Sequence, residues 1–139
     1  MYRAFILYQS LKNKKMNSEQ LIELTKELIY EATHFNVPYV KQIYADNLLI
    51  VKVDKDGAVD TMNKEQLVSF VQGNSDAKAA PLSTKAEFHY AVCDGNMGMV
   101  IITRDLEQGG PSGRKFITLI WEYLSGRWQV VKESFVPRS

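Results

Sequence analysis

The chain is poor in the residues from which disulfide frameworks and metal sites are made. It has a single cysteine, Cys93, and two histidines, His34 and His89, in 139 residues. One thiol cannot close an intramolecular disulfide, and dedicated zinc or iron centres normally draw on a richer set of ligands. No metal site is therefore expected, and the sequence points to no cofactor. Basic runs are scarce as well. The longest is the short "KNKK" of residues 12–15, and the net charge is only +1. A surface that grips a phosphate backbone needs a stripe of Lys and Arg, so nucleic acid is not an expected partner. No apolar run approaches the roughly 20 residues of a membrane-spanning helix. The apolar patch from Ala4 to Tyr8 is shorter than the apolar region of a secretion signal, and no small-residue cleavage site follows it. These absences predict a cytoplasmic protein without a membrane partner.

What the sequence does have is an ordinary globular balance, 45% hydrophobic and 24% charged residues, enough for one domain with a sizeable core. Met16 stands just before a strong helix start. This divides the chain into an N-terminal extension, residues 1–17, and a domain, residues 18–139. The alternative makes Phe5, Ile6 and Tyr8 the anchor of an extra turn packed on that domain. Ser18 reads as a helix cap, and Leu21, Leu24, Leu28, Ala32 and Phe35 follow at helical spacing. Asn36 caps a second, short helix with Pro38 in its first turn and Tyr39, Val40, Ile43 and Tyr44 on its apolar side. Asp46 and Asn47 break it ahead of a strand, Leu48 to Val53. "DKDG" turns the chain into a short strand around Val59. Asn63 caps a third helix, which Gly73 is expected to close. Two strands flank "CDGN", residues 93–96, and a Gly/Pro-rich loop leads to the last hairpin. Helices gathered on one face of an antiparallel sheet make an α+β domain.

The last hairpin, "FITLIWEYLSGRWQVVKESFVP", spans residues 116–137 and carries two tryptophans. A turn at Ser125-Gly126 sets Tyr123 opposite Trp128, Trp121 opposite Val130 and Leu119 opposite Lys132. Because strand residues alternate, Ile117, Leu119, Trp121, Tyr123, Trp128 and Val130 share a dry face. Thr118, Ile120, Glu122, Gln129, Val131 and Glu133 fall on a mixed one. In this register Lys132 and Ser134 point inward; a single bulge would turn both out.

Two stretches bear a resemblance. "YADNLLIVKVDKDGAVDTMNKEQLVSFV", residues 44–71, resembles the helix-strand-turn-helix segment of nuclear transport factor 2-like domains, and "TLIWEYLSGRWQVVKESFVP" resembles their closing hairpin. The polyketide cyclase-like and kinase II association-domain-like branches are the most similar in pattern. The resemblance spans residues 18–137. It implies a cone-shaped curved antiparallel sheet wrapped around the three helices, as in cystatin-like folds, with a pocket at the open end and homodimerisation through the outer sheet face. The implied function is binding of a small, mostly apolar molecule. Two alternatives stand beside it: an isomerase, cyclase or dehydratase-type enzyme, and an oligomerisation module without ligand.

The pocket-lining candidates are Tyr44, Asp46, Tyr90, Leu119, Trp121 and Lys132. Asp46 at a pocket mouth would suit a general base, or it is simply a turn residue. Tyr90, sharing a face with Phe88 and Val92, could donate to a ligand carbonyl, or it fills the core; His89 then faces out. Trp121 could stack on a planar ligand or pack internally. Relatives of the association-domain type line their pocket with arginines. Leu119 stands at the position resembling one of these and Phe135 near another, which predicts an apolar cavity.

Overall fold

The computed structural model describes residues 14–106 and 113–138. Helix α1, Ser18–Thr33, opens with a capping box. Asn17, not Ser18, is the cap: its side chain accepts from the Gln20 backbone N–H at 2.8 Å, and its own N–H donates to Gln20 Oε1 at 2.9 Å. Leu21, Leu24 and Leu28 bury one stripe of the helix. Thr25 and Thr33 fall on the same stripe and keep their hydroxyls satisfied by bonding back to the carbonyls of Leu21 and Ile29. Helix α2, Val37–Ile43, is capped by Asn36. Strand β1, Tyr44–Val53, begins at the very end of α2, earlier than the Asp46-Asn47 pair suggested.

The chain turns through Asp54–Gly57, where Asp54 Oδ1 accepts from the N–H groups of Asp56 and Ala58, into β2, Val59–Asn63. Helix α3, Lys64–Asp76, has a second capping box, from Asn63 and Gln66. Gly73 does not close it; the helix runs on to Asp76 because a helix interior tolerates one glycine at modest cost. Then come β3, Ala86–Asp94; β4, Met97–Asp105; β5, Arg114–Leu124; and β6, Arg127–Pro137. Residues 1–13, which include the anchor proposed at Phe5, Ile6 and Tyr8, lie outside those described. Met16, just before α1, packs on the core. Among the described residues no helix is long and apolar enough to cross a membrane.

The six strands form one curved, unclosed sheet in the order β2-β1-β6-β5-β4-β3. It is mixed rather than wholly antiparallel, since β1 runs parallel to β6. The hairpin turn falls at Ser125-Gly126, both at positive φ (53° and 83°), as a two-residue turn with primed geometry requires. Tyr123 pairs with Trp128 and Trp121 with Val130. Both tryptophans are wholly buried, and the Tyr123 ring meets Trp128 edge-on at 5.8 Å between centroids.

The sheet's inner face packs on α1 and α3. At Gly98 of β4 the side chain of Leu21 in α1 lies close against the strand: a Cβ there would stand 2.7 Å from Leu21 Cδ2. Further along the same face, Val100, Ile102, Ile117 and Leu119 join the core.

Candidate functional site

Between α1, α3 and the inner sheet face lies a cavity of about 460 Å³. Its walls are largely aliphatic and aromatic: Leu28, Ile29 and Ala32 from α1, Leu67, Phe70 and Val71 from α3, and Ile50, Ile102, Ile117, Leu119 and Phe135 from the sheet. Against this lining stand four titratable side chains, Tyr44, Lys52, Arg104 and Glu133.

Glu133 reaches the cavity because β6 bulges at Val131. Trp121 pairs with Val130 but Ile120 pairs with Lys132, so Val131 is the extra residue. Beyond it every side chain of β6 changes face. Glu133 sits opposite Leu119 and points inward, whereas Lys132 sits opposite Ile120 and is exposed. The bulge-free register is therefore corrected: Lys132 lies outside the cavity, and Glu133 leaves the mixed face for the interior.

Tyr44 donates its hydroxyl to Glu133 Oε1 at 2.9 Å. Both residues are buried, with 5% and 7% of their surface exposed. Burial pushes the Glu133 carboxyl above its ordinary range. The Tyr44 hydrogen bond and the charges of Arg104 and Lys52 pull the other way without cancelling it. Burial, and then the neighbouring carboxyl, hold the Tyr44 phenol well above its ordinary value, so it stays protonated and donating.

Arg104 follows Val100 and Ile102 on the inner face of β4 and is 9% exposed. Its Nε donates to the Lys85 carbonyl at 3.3 Å and its Nη2 to the Ser83 carbonyl, which fixes the guanidinium on the segment leading into β3. Burial lowers its pKa, opposed by Glu133 and Tyr44. Lys52 stands at the rim with its Nζ 5.6 Å from the centre of the Phe135 ring.

Of the candidates read from sequence, Tyr44 and Leu119 line this cavity. Asp46 does not. Its side chain is fully in solvent, paired at 3.1 Å with Lys64 Nζ, at the place where β1 shifts register against β6 between Tyr44 and Leu49. Tyr90 is also outside, 53% exposed, since β3 is irregular between Phe88 and Tyr90 and the extra residue turns the tyrosine away from the core. His89 bonds Thr103 Oγ1 at 2.7 Å. Trp121 belongs to the solid core rather than to the cavity wall. Arg104 and Glu133 are polar cavity-lining side chains that the sequence alone did not place there. Strict alternation through Val100, Ile102 and Arg104 would have found the first; the bulge hides the second.

No family model and no curated protein matches the chain. Solved structures do. A nuclear transport factor 2-like protein of unknown function from Silicibacter pomeroyi superposes with a TM-score of 0.65 at 17% identity, covering 85% of this chain and 92% of that one. A nuclear transport factor 2-like protein from Cytophaga hutchinsonii also gives 0.65 at 17% identity, over 88% of this chain and 100% of its own. A de novo designed protein with a curved β-sheet gives 0.55 at 12% identity, over 82% and 97%. At these identities the likeness is one of fold.

Proposed function

We propose that this chain, built on the nuclear transport factor 2-like fold, holds a small molecule with a mostly apolar body in the cavity under α1 and α3. The observation that carries the reading is the cavity itself. Its volume of about 460 Å³ falls in the range of small-molecule sites, and an apolar lining with a few convergent polar groups is their usual make-up. Tyr44, Arg104 and Glu133 would orient a polar head, while the aliphatic walls supply affinity.

Binding should then follow buried apolar area. In a series of phenylalkanols of growing chain length, each added methylene should tighten binding by about fourfold, as about 0.8 kcal/mol per buried CH₂ requires. Calorimetric titration reads this directly. Ala32→Trp, which fills the cavity from α1, should abolish binding while leaving a cooperative melt. Affinity independent of chain length, or unaffected by Ala32→Trp, would place binding elsewhere.

A carboxyl held above its ordinary range beside a phenol also suits proton transfer. This is the observation that favours an isomerase, cyclase or dehydratase-type activity, with Glu133 as the acid or base in place of Asp46, and Tyr44 as hydrogen-bond donor in place of Tyr90. Exchange of the α-protons of a bound aryl ketone with deuterium oxide, lost in Glu133→Gln, would be its signature.

The partner we propose for the outer sheet face is a second copy of this chain. Leu49, Ile120, Met99 and Val92 lie in one row across the sheet, interrupted by Lys132, and Tyr90, Met97, Phe116 and Val136 extend the apolar surface around it. A solvated sheet face needs less apolar area than this.

A further inference from the structure

We infer that the ligand is a monoanion with an apolar body, a carboxylate of the aryl-alkanoate kind, whose head sits between Arg104 and Glu133. This rests on the small-molecule reading above and narrows it to a class. The charged side chains lining the cavity, among the described residues, are two cations and one acid: Arg104, Lys52 and Glu133. The hydrogen bonds of Arg104 go to the uncharged carbonyls of Ser83 and Lys85, so Glu133 acts on its charge through space and not through a hydrogen bond. Those bonds occupy Nε and Nη2. Nη1 has no partner among the described residues, which leaves a donor on a guanidinium whose plane is already fixed. A pre-positioned guanidinium is the side chain best matched to a carboxylate.

The carboxyl of Glu133 taken alone would repel such a ligand, and what surrounds it decides otherwise. Tyr44 and Lys52 of β1 and Arg104 of β4 act on it, Leu119 of β5 is its strand partner, and Ile117 of β5 with Leu67 and Phe70 of α3 line the same cavity; Tyr39 of α2 acts on Tyr44. Tyr44 occupies Oε1, and Oε2 has no hydrogen-bond partner among the described residues. An anion arriving beside it adds a second negative charge to a site where burial already disfavours the first. Glu133 therefore takes a proton from solvent as the ligand enters. Its O–H donates to one ligand oxygen while Arg104 donates to the other. A cationic head would meet Arg104 instead.

Phenylbutyrate, phenylbutanol and phenylbutylamine share one apolar body and differ only in the head. Titration of each into the full chain at neutral pH should give the carboxylate about tenfold or more over the alcohol, the scale of a charge-assisted hydrogen bond, with the amine weakest. The carboxylate's heat should depend on the ionisation enthalpy of the buffer, which reports proton uptake. Glu133→Gln should remove that dependence and keep the preference; Arg104→Met should remove the preference. Should Arg104→Met fail to fold, the wild-type order and the Glu133→Gln heats decide alone. An alcohol as tight as the carboxylate, an amine tighter than either, or a buffer-independent heat overturns the inference while the small-molecule reading stands. If none of the three binds, both fall.

Discussion

Glu133 is the residue on which the account of the cavity turns, and its protonation links function to stability. Its folded-state value lies above the roughly 4.3 of an unfolded glutamate. The folded chain therefore holds this proton more tightly than the unfolded chain does. The stability it contributes is full below the unfolded value and is lost as pH rises through the folded one. Glu133→Gln has no such loss. Urea unfolding of the two proteins between about pH 4 and about pH 8 should show the stability difference moving in favour of the glutamine variant as pH rises. A pH-independent difference would mean that the carboxyl is solvated and the bulge misplaced. Part of this site is legible in the amino-acid order. Arg104 is two and four residues from Ile102 and Val100, and alternation alone puts all three on one face. Glu133 is not legible. The bulge residue, Val131, is an ordinary strand former, and neither glycine nor proline marks the place where the period slips. Asp46 and Tyr90 mislead for the same reason, each lying beside an irregularity that local pattern does not encode.

At the scale of elements, most signals are short-range and survive into the structure. Asn36 and Asn63 cap the helices they precede because an Asn side chain reaches the free N–H groups of the first turn. The two Gly-containing hairpin turns form where positive φ is required, at Gly95 and Gly126. The exception is α3, which continues past Gly73 to Asp76. Nothing within 4 Å would touch a Cβ at Gly73, and its φ lies outside the left-handed region. Its flexibility is then a cost without a compensating contact. Gly73→Ala should raise stability by about 0.5–1 kcal/mol, read as a higher denaturant midpoint at unchanged slope. A destabilised variant would mean that α3 ends at Gly73 in solution, as the bare sequence suggests. The helix matters for function because its Leu67, Phe70 and Val71 roof the cavity while only Val71 is buried. Such a lightly packed roof is the element best placed to admit a ligand.

For the molecule as a whole, one sheet presents two faces with different tasks, an inner face that closes over the cavity and an outer face with apolar residues in solvent. If the outer face pairs with a second copy, light scattering at micromolar concentration should give twice the chain mass, and Ile120→Lys with Met99→Lys should return it to one. A wild-type monomer would remove the interface. The parallel pairing of β1 with β6 joins the two halves of the chain and sets Tyr44 beside Val130 and Ile50 beside Glu133. That long-range contact cannot be read from either strand alone, yet it assembles the polar end of the cavity. The central claim is that this cavity is a ligand site with its polar head group at Tyr44, Arg104 and Glu133. A crystal structure grown with phenylbutanol tests it most directly. The account predicts density for the phenyl ring among Leu28, Phe70 and Ile117, with the hydroxyl within hydrogen-bond reach of Glu133 or Arg104. Density confined to the outer sheet face, or Phe70 folded inward to fill the space, would contradict it.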